Sequence, residues 1–404
     1  VGLGKRPAGY RSFAYLDRDA DYRSFELAPQ LDRVASSRPP LDAQQELRAE
    51  RLLGELVLIS LHEHLGVFPA DVSQTPQWVR EARVATAFEG LAASAWDAVF
   101  DNLLDGICTI ESRGGWKWTE VLHDLGMRLC DLEHQDLVIP CRRVDDIHRA
   151  HRAGRVAWIA SIEGSAMIEN ELDRIEVLYG FGVRSLGITY SEANALGSGL
   201  KEPRDGGLTA FGRRAVERMN RVGMLIDCSH CGDRTTLDTI ETSELPIVLS
   251  HIGARALWDS HRLAPDHVLE ACAARGGLIG IEAAPHTTVS PDHPRHGLES
   301  VMDHFEHVRS LVGIDHVTFG PDTVYGDHVG LHDVYAANLS IAASRAGSRG
   351  TVPLERVEYV DGLENPTEGS HNLVRVLVRA GYEDQEIAKV MGGNALRVLG
   401  EVWR

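Results

Sequence analysis

The sequence predicts an α/β protein, a (β/α)8 TIM-type barrel with an N-terminal extension. Two observations carry this. Short apolar runs alternate with longer amphipathic stretches eight times along the chain, the pattern of parallel strands joined by helices. No glycine fingerprint follows the first strand, which weakens the rival reading, a doubly wound open sheet with a dinucleotide site.

The elements follow in order. Residues 1–40 are polar, rich in Arg and Asp, and end in SSRPP; they read as an extension or arm of a kind that often wraps a neighbouring subunit. The barrel is expected over 41–404. Leu41–Gly54 reads as a helix that Asp42 can cap. The predicted strands are Leu56–Ser60, Gly106–Ile110, Val156–Ile162, Arg184–Thr189, Met224–Cys228, Pro246–Ser250, Gly277–Ile281 and His316–Gly320. The helices between them are Thr119–Glu133, Val144–Ala153, Asn170–Gly180, Thr209–Val222, Arg234–Thr242, Asp266–Arg275 and Leu298–Val312. Ser370–Ala380 and Glu383–Leu399 close the chain. Pro285–His296 reads as a loop, and a small helix is expected near Val334–Ala346.

Composition narrows the function. Across 404 residues, 43% are hydrophobic and 25% charged, as in a globular protein. The net charge of −18 argues against nucleic acid or an anionic membrane as the main partner. No apolar run is long enough for a membrane span, and the basic, aromatic start VGLGKRPAGYRSF has no signal-peptide core. The six cysteines form no dense framework, so reduced thiols in a cytoplasm are expected. Cys228-x-x-Cys231 lacks the second pair that a structural zinc site requires.

The chemistry is expected at the C-terminal ends of the strands. The stretch Leu56–Pro69, LVLISLHEHLGVFP, delivers His62 and His64 two residues apart, so both imidazoles point to one side of an extended backbone. Glu163 ends the third strand, His230 the fifth and His251 the sixth; Asp322 follows the eighth. Singly, each has an ordinary explanation as a solvated or hydrogen-bonded residue. Together, four imidazoles and two carboxylates are a ligand set for two divalent ions, zinc being the commonest. Glu163 can bridge the two. Such a pair would hold a hydroxide and lower its pKa, and Asp322 would carry its proton to a leaving group.

The sequence resembles the membrane (renal-type) dipeptidases, metallopeptidases of the amidohydrolase superfamily. The likeness runs from about Leu56 to the C-terminus. It rests on Ser161-Ile162-Glu163-Gly164, on GLTAFGRRAVERMNRVGMLIDCSH, on PIVLSHIGAR, on HVTFGPDT and on the closing NLVRVLVRAGYEDQEIAKVMGGNALRVL. The resemblance implies that His62 and Asp322 bind one metal, that Glu163 bridges and that His230 and His251 bind the second. It implies that Arg262 holds a substrate carboxylate with its forked guanidinium; otherwise Arg262 reads as a surface helix-cap salt bridge. It also implies a dipeptide substrate, two Zn2+ per chain and a homodimer.

Two departures stand out. The family's H-x-D motif is His62-Glu63-His64 here, so an imidazole replaces a carboxylate and Glu63 points away. Tyr190 stands where the family has a histidine contacting the oxyanion. A phenol can donate that hydrogen bond while remaining neutral. The segment Thr109–Trp118, with Arg113, Trp116 and Trp118, and the loop Asp322–Tyr335 could shape the pocket, or those aromatics could pack barrel against helix. These departures keep alive a tailoring amidohydrolase or metal-assisted decarboxylase for a specialised metabolite. A non-catalytic metal-binding protein is the rival from another class.

Overall fold

The structure, a computed structural model, describes residues 9–103, 117–338 and 354–403. Its centre is a curled, mainly parallel sheet. We number the strands β1 (Ile59–Val67), β2 (Ala85–Thr86), β3 (Ala98–Asn102), β4 (Val138–Pro140), β5 (Val156–Ile162), β6 (Val183–Gly187), β7 (Leu225–Asp227), β8 (Val248–Ile252), β9 (Leu278–Ile281), β10 (Val317–Phe319) and β11 (Thr323–Tyr325). Their order is β10-β9-β8-β7-β6-β5-β3-β1-β11, with β2 antiparallel on β1 and β4 beside β5.

The strands are apolar because both faces of a parallel sheet are covered. All seven residues of β5, VAWIASI, are buried. The helices between strands begin and end where local chemistry requires. Asp42 caps Ala43–Glu55 in a capping box with Gln45. The Thr209 hydroxyl accepts from Gly212 N to start Ala210–Val222, and Gly223, at φ 80°, ends that helix.

The strands predicted from Val156 onward match β5 to β10 within two residues, and helices Val144–Ala153 and Leu298–Val312 match their predicted bounds. Three expectations change. The first strand runs Ile59–Val67 rather than Leu56–Ser60, so His62 and His64 lie within it. The place of the second strand, between β1 and β5, is taken by Ala98–Asn102; its run AVFDN carries two polar residues and gives a weaker strand signal than Gly106–Ile110, which lies outside the described residues. The closing run Glu383–Leu399 is broken into Asp384–Ala388, a π-turn over Lys389–Gly393, and Asn394–Val402. At Gly392 an added Cβ would sit 2.0 Å from Val57 O, so the turn lets the backbone abut the start of β1. The small helix spans His328–Asn338, and the rest of Val334–Ala346 lies outside the described residues.

The described part of the extension lies on its own chain. Ala28 N donates to Phe68 O, the Tyr10 hydroxyl and Phe13 N donate to Asp131, and Ser36 and Ser37 bond Glu368. No described helix is long and apolar enough to cross a membrane.

Candidate metal centre

The site is assembled on five strands, from within β1 and β8 and from just past β5, β7 and β10. β1 contains a bulge: Ser60 pairs with Val99 but Glu63 with Asp101, three residues against two. The extra residue brings Ser60 and Glu63 onto one face, where the hydroxyls of Ser60 and Thr323 donate to the Glu63 carboxylate. Burial lifts that carboxyl to about 7 against these two bonds. His62 and His64 turn the other way, with their Nε2 atoms 3.3 Å apart.

Glu163 and Asp322 meet them. Glu163 Oε1 lies 2.7 Å from His62 Nε2 and 3.3 Å from His64 Nε2. Asp322 Oδ1 lies 3.2 Å and 3.1 Å from the same two atoms. A tetrahedral zinc with bonds of about 2.0–2.1 Å has ligand–ligand edges of about 3.3 Å. The donor separations around His62 and His64 are therefore of the size a metal ion requires. The donor atoms of His62, Glu163, His251 and Asp322 lie within 4.8 Å of one another, so the cluster continues to the second pair. There His230 Nε2 and His251 Nε2 are 3.0 Å apart, and the rings of His62 and His251 lie 3.5 Å apart.

The surroundings present the imidazoles as ligands. His64 Nδ1 donates to Asn102 O at 3.2 Å, and His251 Nδ1 to Ser250 Oγ at 2.8 Å. Ser250 in turn donates to Asp227, which also accepts from Ser229. Ser191 Oγ lies 3.4 Å from His230 Nδ1. The Asn102 amide nitrogen lies 2.8 Å from His62 Nδ1 while Asn102 Oδ1 is buried without a partner, so turning that amide over sets its oxygen to accept from His62 Nδ1–H. A histidine whose Nδ1–H is occupied offers the Nε2 lone pair to a metal. Glycines make the approach possible: a Cβ on Gly187 would sit 1.8 Å from Glu163 O, and one on Gly320 2.0 Å from Ser250 O. Asp322 itself has φ 61°, with its N–H on His62 O at 3.1 Å and its carbonyl accepting from His332 at 3.3 Å. A non-glycine residue in that conformation at a candidate ligand position is strain held by its neighbours.

Electrostatics divide the site. Burial presses His62 down, but Glu163 and Asp322 outweigh it and lift the imidazole to about 9. Burial pushes the carboxyls of Glu163 and Asp322 up, yet His62 and His64 hold both well below the usual carboxylate range. On the other side, burial and then the Arg262 charge drive His230 down to about 3. His251 is held well below its ordinary value by burial, His62 and Arg262. One half is thus ionised and the other neutral.

Tyr190 is half-buried and stacks on His230 at 4.2 Å between ring centroids. Arg262 is buried, not at the surface. It pairs with Glu282 just past β9 and donates to His251 O at 3.0 Å and Ser229 O at 3.3 Å. Trp118 opens the helix Trp118–Leu132 under Arg174, 4.9 Å from its guanidinium, which is packing; Arg113 and Trp116 lie outside the described residues. Sequence reasoning missed Asn102, Asp227, Ser250 and Glu282. Asn102, Asp227 and Glu282 end strands or follow them directly, the same signal that found His230 and Asp322.

The structure is that of an α/β protein with a buried carboxylate–imidazole cluster, a candidate metal site, at the C-terminal mouth of a curled parallel sheet. The chain belongs to the membrane dipeptidase family, peptidase family M19, whose model matches residues 47–343. It is 30% identical over 281 residues to dipeptidase tcpJ of Claviceps purpurea, a match covering 69% of this chain and 58% of that protein. The chain spans between 45% and 63% of the length of the curated relatives it matches. Its fold is that of an amidohydrolase from Pseudomonas aeruginosa, with TM-score 0.70, 23% identity and coverage of 88% of this chain and 99% of that one. It is also that of a metallopeptidase from Rhodobacter sphaeroides solved with a phosphinate mimic of the dipeptide L-Ala-D-Ala, with TM-score 0.64, 20% identity and coverage of 86% and 99%.

Proposed function

We propose that the protein is a zinc-dependent hydrolase cleaving the amide bond of a dipeptide or a similar small substrate. The observation that carries this is the convergence of His62, His64, Glu163, His230, His251 and Asp322, with first-half donor separations of 2.7–3.3 Å. In this reading the eight parallel strands close into a barrel, β10 meeting β1, over residues 41–404, with 1–40 as an extension.

His62, His64, Glu163 and Asp322 would hold one Zn2+, and His230 and His251 the second, with Glu163 shared. Bound ions supply an acidified water and polarise the scissile carbonyl. The chain's own residues do the rest. Asp322 accepts the proton from the attacking water and passes it to the leaving amine nitrogen. The Tyr190 hydroxyl donates to the developing oxyanion. Arg262 takes the substrate carboxylate, sharing its guanidinium with Glu282. A homodimer in a reducing cytoplasm completes the proposal; the five described cysteines are free thiols.

One feature favours a second reading. With His64 in the place of a carboxylate the site carries one negative charge fewer, which suits a tailoring amidohydrolase or decarboxylase acting on a specialised metabolite. The test is release of free amino acids from a panel of L-L and L-D dipeptides by zinc-reconstituted protein, with a chelated control. Chelator-sensitive turnover supports the dipeptidase. No turnover with about two ions bound per chain overturns it in favour of the second reading.

A further inference from the structure

Away from the metal centre lies a cavity of about 380 Å³ between the extension and the segment that follows β1. One wall is formed by Arg11, Arg18, Tyr22 and Phe25 of the extension, the other by Trp78 and Arg83. The family match begins at residue 47, so the first wall is supplied by sequence outside it. The size is that of a small-ligand site.

The charge is unusual for this chain. On a protein of net charge −18, the cavity is lined by four arginines, counting Arg23, and one acid, Glu89. Arg23 is neutralised by Glu81. Arg11, Arg18 and Arg83 make no ion pair with a carboxylate among the described residues. Arg83 is half-buried, its guanidinium 5.9 Å from the Phe13 ring centroid. Phe68 lies 5.0 Å from Trp78 at a 45° tilt and fixes that buried indole at the base, while the half-buried rings of Tyr22 and Phe25 line the cavity. Guanidinium forks beside aromatic faces in a concave site recognise a planar anion: the forks take its oxygens and the rings its hydrocarbon.

From this we infer that the cavity is a binding site for a small aromatic anion, an aryl carboxylate or aryl phosphate, separate from the metal centre. The test is calorimetric titration of the zinc-loaded protein with phenyl phosphate, with benzyl alcohol and inorganic phosphate as controls, in the wild type and in an Arg11→Gln/Arg18→Gln variant. Both arginines are exposed and neither forms an ion pair among the described residues, Arg18 only adding to the Ser24 bonds that hold the Asp19 carboxyl low, so the fold does not depend on them. A second variant, Arg83→Gln, reads the half-buried wall. The expected result is one phenyl phosphate per chain, bound more tightly than either control, with affinity about tenfold or more weaker in each variant and unchanged after chelation. Any of four results overturns the inference: no binding, equal binding of a control, binding that either variant retains in full, or binding that chelation abolishes.

Discussion

Stripping the metal and adding it back should move a proton, and the structure says which one. In the metal-free site the His62 imidazole, buried between Glu163 and Asp322, is lifted to about 9. At pH 7.5 a group of that pKa is about 97% protonated, and at pH 9.5 about 24%. A metal ion binds only the neutral ring, so loading the His62 half at pH 7.5 should release about one proton per ion. The same competition should raise the apparent affinity about fiftyfold between pH 7 and pH 9, as the protonated fraction falls from about 0.99 to about 0.5. His230, at about 3, and His251, held low by burial, are already neutral and should release none. The assay is calorimetric zinc titration of chelator-stripped protein at pH 7.5 in two buffers of different ionisation enthalpy, repeated at pH 9.5. The sign is fixed: metal-free, His62 stabilises the fold below its ordinary pKa and loses that contribution as pH rises through about 9. Equal heats in the two buffers at pH 7.5 would refute the assignment of His62 as an ionised, displaceable ligand.

Other expectations follow from the supporting shell. Gly187→Ala forces a Cβ into Glu163 O at a site where only 1.8 Å is free; zinc content and activity should fall together while the circular dichroism of the fold persists. Asn102→Ala removes the amide at His62 Nδ1 and should weaken zinc affinity about 10–100-fold, read by competition with a chelating dye. Arg262→Met leaves Glu282 buried without its cation and should cost about 3–5 kcal/mol in urea unfolding, much of it recovered in Arg262→Met/Glu282→Leu. If Arg262 also holds the substrate carboxylate, the double variant regains stability without regaining KM.

The candidate cluster was legible in the sequence because strand ends are marked twice, by the end of an apolar run and by the polar residue that interrupts it. MLIDCSH and IVLSH carry that mark clearly. AVFDN does not: Asp101 accepts from the Trp158 indole and from Leu65 N inside the fold, and a polar pair bonded in this way carries no outward sign of a buried strand. The bulge in β1 was equally hidden, since the register shift between Ser60 and Glu63 depends on pairing with Val99 and Asp101 rather than on local preference. Arg262 illustrates a third limit. Its exposure is decided by Glu282, 20 positions away in sequence, and no spacing rule connects the two.

The division of the centre into an ionised and a neutral half decides the order in which it can be filled. Displacing the His62 proton at pH 7 costs about 3 kcal/mol, two pH units at 1.36 kcal/mol each. Against this, a single charge pair at 4 Å contributes about 4 kcal/mol at an effective dielectric of 20, and a divalent ion among Glu163 and Asp322 meets two carboxylates, each interacting with a double charge. Attraction therefore exceeds proton competition in that half. His230 and His251 ask for no proton, but offer no charge of their own and stand under the Arg262 cation that lowers both. Their gain would be Glu163, which the proposed two-ion reading shares with the first half. The ionised half should hold its ion more firmly, and the replacement of a carboxylate by His64 limits by how much.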